Sequence, residues 1–145
     1  MDIFAKKNLN LLAYGGDGLE FFHSIMFSLG YSYDDIPSEY ARESALLAIE
    51  KLFENDLIRI VRWGDDEKFF ENKNFTLRES MLIIRAKWIS DFSIPDFYGS
   101  IIFGLEDWYT NALEKEGITD TTDWKWFVEN KIGDLRQFIK ENKPE

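Results

Sequence analysis

The sequence predicts a mainly α (α+β) fold: one compact helical domain spanning residues 1–145. A small β-hairpin or short sheet is expected around residues 57–72, with a candidate further strand at 99–104. Three observations point there. Apolar residues recur at three- and four-residue spacing over most of the chain, the mark of helices buried on one face. One short β-branched run, "LIRIVRW", breaks that pattern at residues 57–63. The length, 145 residues, suits one domain, and 13 Phe, 6 Tyr and 5 Trp supply ample core.

The elements follow in order. "MDIFAKKNLNLLAYGG" predicts a weak helix ending at Gly15-Gly16. In "DGLEFFHSIMFSLG", Asp17 and Glu20 have capping-box spacing; Leu19, Phe22, Ile25, Met26 and Leu29 share a face, and Gly30 is a suitable stop. "YSYDDIP" predicts a loop. A helix then starts at Ser38 or an earlier Asp and buries Ala45, Leu46, Ile49, Leu52 and Phe53. After the 57–63 strand, "GDDE" is a turn and "KFFENKNF" is the expected return strand. Thr76-x-x-Glu79 is a second capping box, so residues 77–90 read as helix, with Pro95 as punctuation. Residues 97–113 fit helix or strand; the glycines of "YGSIIFG" favour extended chain to about residue 104, then helix from Glu106 to Glu116, with Gly117 as its stop. One last helix is expected after "DTTD", burying Trp124, Phe127, Val128, Ile132, Leu135, Phe138 and Ile139.

Helix, strand and turn in the order 38–75 suggest a winged-helix DNA reader, but the chemistry opposes it. A wing needs Lys or Arg against phosphates, whereas this tip is Asp65-Asp66-Glu67 and the preceding helix carries Glu39, Glu43, Glu50 and Glu54. In a regular strand, moreover, Arg59 and Arg62 point to opposite faces. No nucleic-acid partner is expected.

The net charge is −10, and two segments hold it. Residues 34–56 contain seven acids against Arg42 and Lys51, and residues 96–123 contain seven against Lys115 alone. Cysteine is absent, which removes disulfides, thiolate metal sites and a thiol nucleophile. The N-terminus lacks the basic and apolar parts of a signal peptide, and no run is long enough to span a bilayer. A cytoplasmic protein without membrane contact is expected.

No catalytic motif is visible. His23 is the only histidine and lies at the edge of an amphipathic helix, where a structural role is the simpler one. "YGGDG" has neither the strand nor the lysine of a phosphate loop, and neither residues 34–45 nor "GITDTTDW" has EF-hand spacing. The chain is expected not to be an enzyme and to need no cofactor or metal. "EDWYTNALEKEG" and "TDWKWF" instead set aromatics among acids, an arrangement that suits a binding surface: carboxylates steer a basic partner and Trp or Tyr anchor it. Trp108 and Trp124 fit core stripes, whereas Tyr109 and Trp126 fall off them. The candidate partner-binding set is therefore Asp34, Asp35, Glu39 and Glu43 with Glu106, Asp107, Tyr109, Glu114, Glu116, Asp120, Asp123 and Trp126.

The order "ALLAIEKLFENDLIRIVRWG…FTLRESMLIIRAKWIS…IPDFYGSIIFGLEDWY" resembles a small bacterial family of unknown function. It is also similar to the immunity proteins of contact-dependent inhibition and other polymorphic toxin systems, which are small, acidic and rich in aromatics. The likeness covers roughly residues 40–110 and lies in pattern; "DFYGSIIFG" departs from it, with Asp96 where a proline–small pair is expected and Phe103 in place of Trp. It implies a cytoplasmic protein that binds and blocks a cognate, basic toxin domain; many toxins of such systems are nucleases. The alternative from composition alone is a regulatory module with an aromatic-lined pocket for a small molecule or peptide.

Overall fold

The computed structural model describes residues 1–88 and 93–145. It is mainly helical with one two-stranded antiparallel sheet. In chain order the elements are α1 (Phe22–Ser28), α2 (Glu39–Glu54), β1 (Ile58–Arg62), α3 (Glu67–Phe70), α4 (Leu77–Lys87), α5 (Ile94–Tyr98), β2 (Ile102–Leu105), α6 (Asp107–Lys115), α7 (Trp124–Phe127) and α8 (Leu135–Asn142). Among the described residues no helix is long and apolar enough to cross a membrane.

The N-terminal segment forms a 3₁₀ helix, Lys6–Leu12, that buries Leu9, Leu11 and Leu12. The next helix starts later than the Asp17 capping pattern predicts. Gly18 sits so close to the first segment that a Cβ there would lie 1.7 Å from the Asn10 carbonyl oxygen. The Gly18 carbonyl accepts from the Ser28 hydroxyl at 2.7 Å, and the Glu20 carbonyl from the Phe103 amide at 2.8 Å. With its backbone thus engaged elsewhere, residues 16–21 stay in turns and α1 begins at Phe22. The Ser24 hydroxyl, accepting from the Phe21 amide at 3.2 Å, satisfies one free donor there.

α2 is the longest helix. Ser38 caps it by accepting from the Ala41 amide at 3.2 Å, and Ala41, Ala45, Leu46, Ala48, Ile49 and Leu52 form its buried face. Asp56, in the left-handed region at φ 53°, turns the chain into β1.

β1 is present, but its partner is not residues 68–75. Those residues form α3 and a loop, and β1 pairs with β2: Ile58 with Leu105, Arg59 with Gly104, Ile60 with Phe103 and Arg62 with Ile102. The expected hairpin is thus a long-range pairing, and the strand expected at 99–104 supplies the second strand. Residues 67–70 turn helical where the Glu67 carboxylate accepts from the Trp63 amide. A bulge lies between Ile60 and Arg62. It adds one residue to β1, so Arg59 and Arg62 share the solvent face, opposite Ile58, Ile60, Phe103 and Leu105, correcting the alternation of a regular strand. Arg59 is engaged there by the Leu105 carbonyl at 2.8 Å and by Asp107 at 3.3 Å.

α4 starts on the capping box the sequence predicts: Thr76 Oγ1 accepts from the Glu79 amide at 3.1 Å and Glu79 Oε1 from the Thr76 amide at 2.9 Å. It runs to Lys87 and Trp88 is extended; residues 89–90 of the predicted helix lie outside the described residues. α5 occupies 94–98, so that residues 97–98 are helical where extended chain is expected, with Pro95 in its first turn and Asp96 accepting from the Ser93 amide and hydroxyl at 2.7 and 2.9 Å. α6 matches its predicted span. The last helix is two helices: Val128–Ile132 is a π turn, Gly133 takes φ 79°, and Asp134 caps α8 by accepting from the Gln137 amide.

The core centres on Trp88, which stacks on Phe22 with centroids 4.4 Å apart and meets Phe97 edge-on at 6.0 Å. Leu46, Ile49 and Leu52 of α2, Phe103 of β2 and Leu113 of α6 are buried in the same cluster. Trp108 and Trp124 pack against it, half-buried, with indole N–H groups donating to the Asp56 and Leu9 carbonyls at 2.7 and 2.8 Å.

Candidate functional site

The most distinctive surface feature is a belt of aromatic rings built by α1, α5 and the Tyr33–Asp35 3₁₀ turn. Its centre is His23, stacked on Phe21 (5.4 Å, 11°) and met edge-on by Tyr98 (5.3 Å) and Phe27 (5.7 Å). Phe21 meets Tyr98 at 5.0 Å, and Phe27 continues to Tyr33 at 5.8 Å. The outer rings face solvent: Tyr33 is 66% exposed, Tyr98 57% and Phe27 37%, whereas His23 is only 8% exposed. The α1 core residues Phe22, Ile25 and Met26 lie on the opposite stripe, so helical geometry turns Phe27 outward, while His23 on the same side is covered by the rings around it. Contiguous exposed aromatic rings of this kind make the belt the candidate interaction surface.

The belt is built from chain without cations. Residues 8–41 and 88–114 contain no Lys or Arg, and each stretch holds five acids. Asp34 and Asp35 adjoin Tyr33, Asp96 stands two residues before Tyr98, and Asp17 and Glu20 precede Phe21. The hydrogen bonds from Ser93 hold the Asp96 carboxyl below its usual range, so it stays charged. Burial lowers the His23 pKa from about 6.5, which keeps the imidazole neutral.

A cavity of about 470 Å³ opens beside His23, lined by Asn10, Ala13, Asp17, Gly18, Ser24, Phe27 and Ser28. His23 Nδ1 is buried without a hydrogen-bond partner. A second, more polar cleft of about 310 Å³ is lined by Trp63, Asp65, Asp66, Lys87 and Asp96. Lys87 pairs with Asp66 there. Among the described residues no group of three or more His, Cys, Asp or Glu is placed to hold a metal ion.

The predicted partner-binding residues separate into several places. Asp34 and Asp35 join the belt, although Asp35 also accepts from the Ser32 amide at 2.8 Å. Glu39 and Glu43 are neutralised by Arg42 and Arg85: Arg42–Glu39 is 2.6 Å and Arg85–Glu43 is 2.5 Å. Glu106 and Asp107 gather with Asp56 around Arg59, and Lys143 takes Asp56 at 3.0 Å. The two acidic blocks therefore meet there, through the end of the first block. Glu114 accepts from the Tyr14 hydroxyl at 2.9 Å, and that hydroxyl's pKa is raised by this bond and by nearby Asp120. Glu116 is an exposed C-cap of α6, and Asp123 caps α7 by accepting from the Trp126 amide at 3.0 Å. Trp126 is 49% exposed.

Tyr109 requires correction. It is fully buried, and its hydroxyl donates to the Leu12 carbonyl at 2.7 Å. It lies on the buried stripe of α6 with Ala112 and Leu113, which the N-terminal segment covers, whereas Trp108 is only half-buried. The belt rings Phe21, Phe27, Tyr33 and Tyr98 are absent from the sequence prediction. The signal that finds them is the coincidence of off-stripe aromatics with two long cation-free stretches.

No protein-family model matches the chain, and no curated protein or solved structure matches it either.

Proposed function

We propose that the protein is a small anionic binding protein that masks a basic protein surface, as an immunity protein does when it binds and blocks a cognate toxin domain in the cytoplasm. The single observation behind this reading is the exposed aromatic belt assembled from two stretches without lysine or arginine. Aromatic rings provide contact area at low entropic cost, and uncompensated carboxylates around them attract a cationic partner and reject anionic ones. A nuclease toxin fits, because its substrate site is itself a basic surface. Under this reading the protein performs no chemistry; it excludes substrate by occupancy.

The test is capture of the tagged protein's partner from its own host at low and high salt, followed by expression of that partner alone. The reading expects a basic partner that is toxic alone and harmless when co-expressed. Association should slow about ten-fold or more from low to physiological ionic strength, because the steering charges are exposed. A partner without a basic surface, or a co-expressed partner that remains toxic, would overturn it. A second reading, a module for a small molecule or peptide, draws support from the cavity beside His23. It expects binding that barely responds to salt.

A further inference from the structure

We infer that the cavity beside His23 is an anchor pocket for an arginine side chain of the basic partner, an inference that rests on the reading above. The cavity is an open depression of about 470 Å³. Its walls combine two surfaces that suit a guanidinium and few other groups. One is aromatic: Phe27 and His23 line the cavity and stand edge to face at 5.7 Å. A guanidinium is planar and weakly hydrated, so it stacks on such rings where a compact, strongly hydrated ammonium does not.

The other surface is rich in acceptors. The Asp17 carboxylate and the Asn10 side chain line the cavity, and neither makes a side-chain hydrogen bond or ion pair among the described residues. The Ser28 hydroxyl has given its proton to the Gly18 carbonyl at 2.7 Å, leaving only acceptor capacity. His23 is more than nine-tenths buried and its unpaired Nδ1 is sealed from solvent, so the residue offers the cavity its ring and no acceptor. The Asp17 carboxylate is the one charge on this wall; no Lys or Arg lies between residues 8 and 41, and no ion pair reaches Asp17 among the described residues. Arginine brings five N–H donors and a permanent charge.

The probe is N-acetyl-arginine amide, with N-acetyl-citrulline amide as its uncharged isostere and N-acetyl-lysine amide as its aliphatic cation. His23 is the only histidine, so its ring resonances report the site without assignment. The arginine amide should shift them saturably, and citrulline and lysine should each bind about five-fold or more weakly, the worth of one charge-assisted or stacking contact. Asp17→Asn should weaken arginine binding to a similar degree. Asp17 is exposed, so this variant should fold; Phe27→Leu is the second variant and should also weaken it. No saturable shift, equal binding of citrulline, or no response to either variant would overturn the pocket. The two readings fail separately. Arginine binding without any basic partner would sink the immunity reading alone. A salt-sensitive toxic partner whose affinity ignores Asp17→Asn and Phe27→Leu would sink the pocket alone.

Discussion

His23 shows how one side chain can be placed by packing and still look functional. Its neighbours are the rings of Phe21, Phe27, Phe97 and Tyr98, with Asp17 as the acid that shares its cavity. Burial holds its folded pKa below that of the unfolded chain, so the unfolded state binds more protons between the two values. Stability should therefore fall as pH drops below about 6.5, until pH passes below the folded pKa. Urea titrations from pH 7.5 to 5 would show this as a slope present in the wild type and absent in His23→Gln. Tyr109 offers a second check. Removing its hydroxyl strands the Leu12 carbonyl in the core, so Tyr109→Phe should cost about 1–3 kcal/mol by urea denaturation. A surface Tyr would lose nothing measurable.

At the scale of elements, local signals decided where helices begin and tertiary contacts decided which signals were used. The Thr76–Glu79 box is satisfied on both sides and α4 starts there. The Asp17–Glu20 pair has the same spacing, yet α1 starts at Phe22, because Gly18 is pressed against Asn10 and Glu20 is bonded to β2. Spacing cannot reveal that a carbonyl is needed elsewhere. Thr76→Ala should cost about 1 kcal/mol and reduce helicity locally, read by thermal melts and by faster amide exchange in residues 77–80. The α7–α8 break follows the same logic in reverse. The apolar stripe is continuous from Trp124 to Ile139, but Gly133 at φ 79° and an Asp134 cap reset the axis.

Over the whole molecule, charge counts alone do not locate a binding face. Glu39 and Glu43 are held by arginines and present less free charge than their number suggests, whereas Asp34 and Asp96 flank exposed rings. Asp34→Asn with Asp96→Asn should slow partner association several-fold at low salt, and Glu39→Gln with Glu43→Gln should change it less; stopped-flow at two ionic strengths checks both. The sheet makes the same point structurally. The strand at 58–62 was legible from its β-branched residues, but its partner lies some forty residues further on, across α3, α4 and α5.

Local signals in the chain suffice for the mainly α class, the starts of α2 and α4, the span of α6, one strand and the distribution of charge. All of these rest on interactions within a few residues: helical spacing, caps, β-branching and composition. Only the tertiary structure decided that β1 pairs with β2, that Tyr109 is buried beneath the N-terminal segment, and that α1 and α5 bring Phe21, His23, Phe27 and Tyr98 into one belt. Those outcomes depend on long-range backbone bonds and on which helix face finds a neighbour. Exposure belongs to the packed assembly, not to a residue's place in a local pattern.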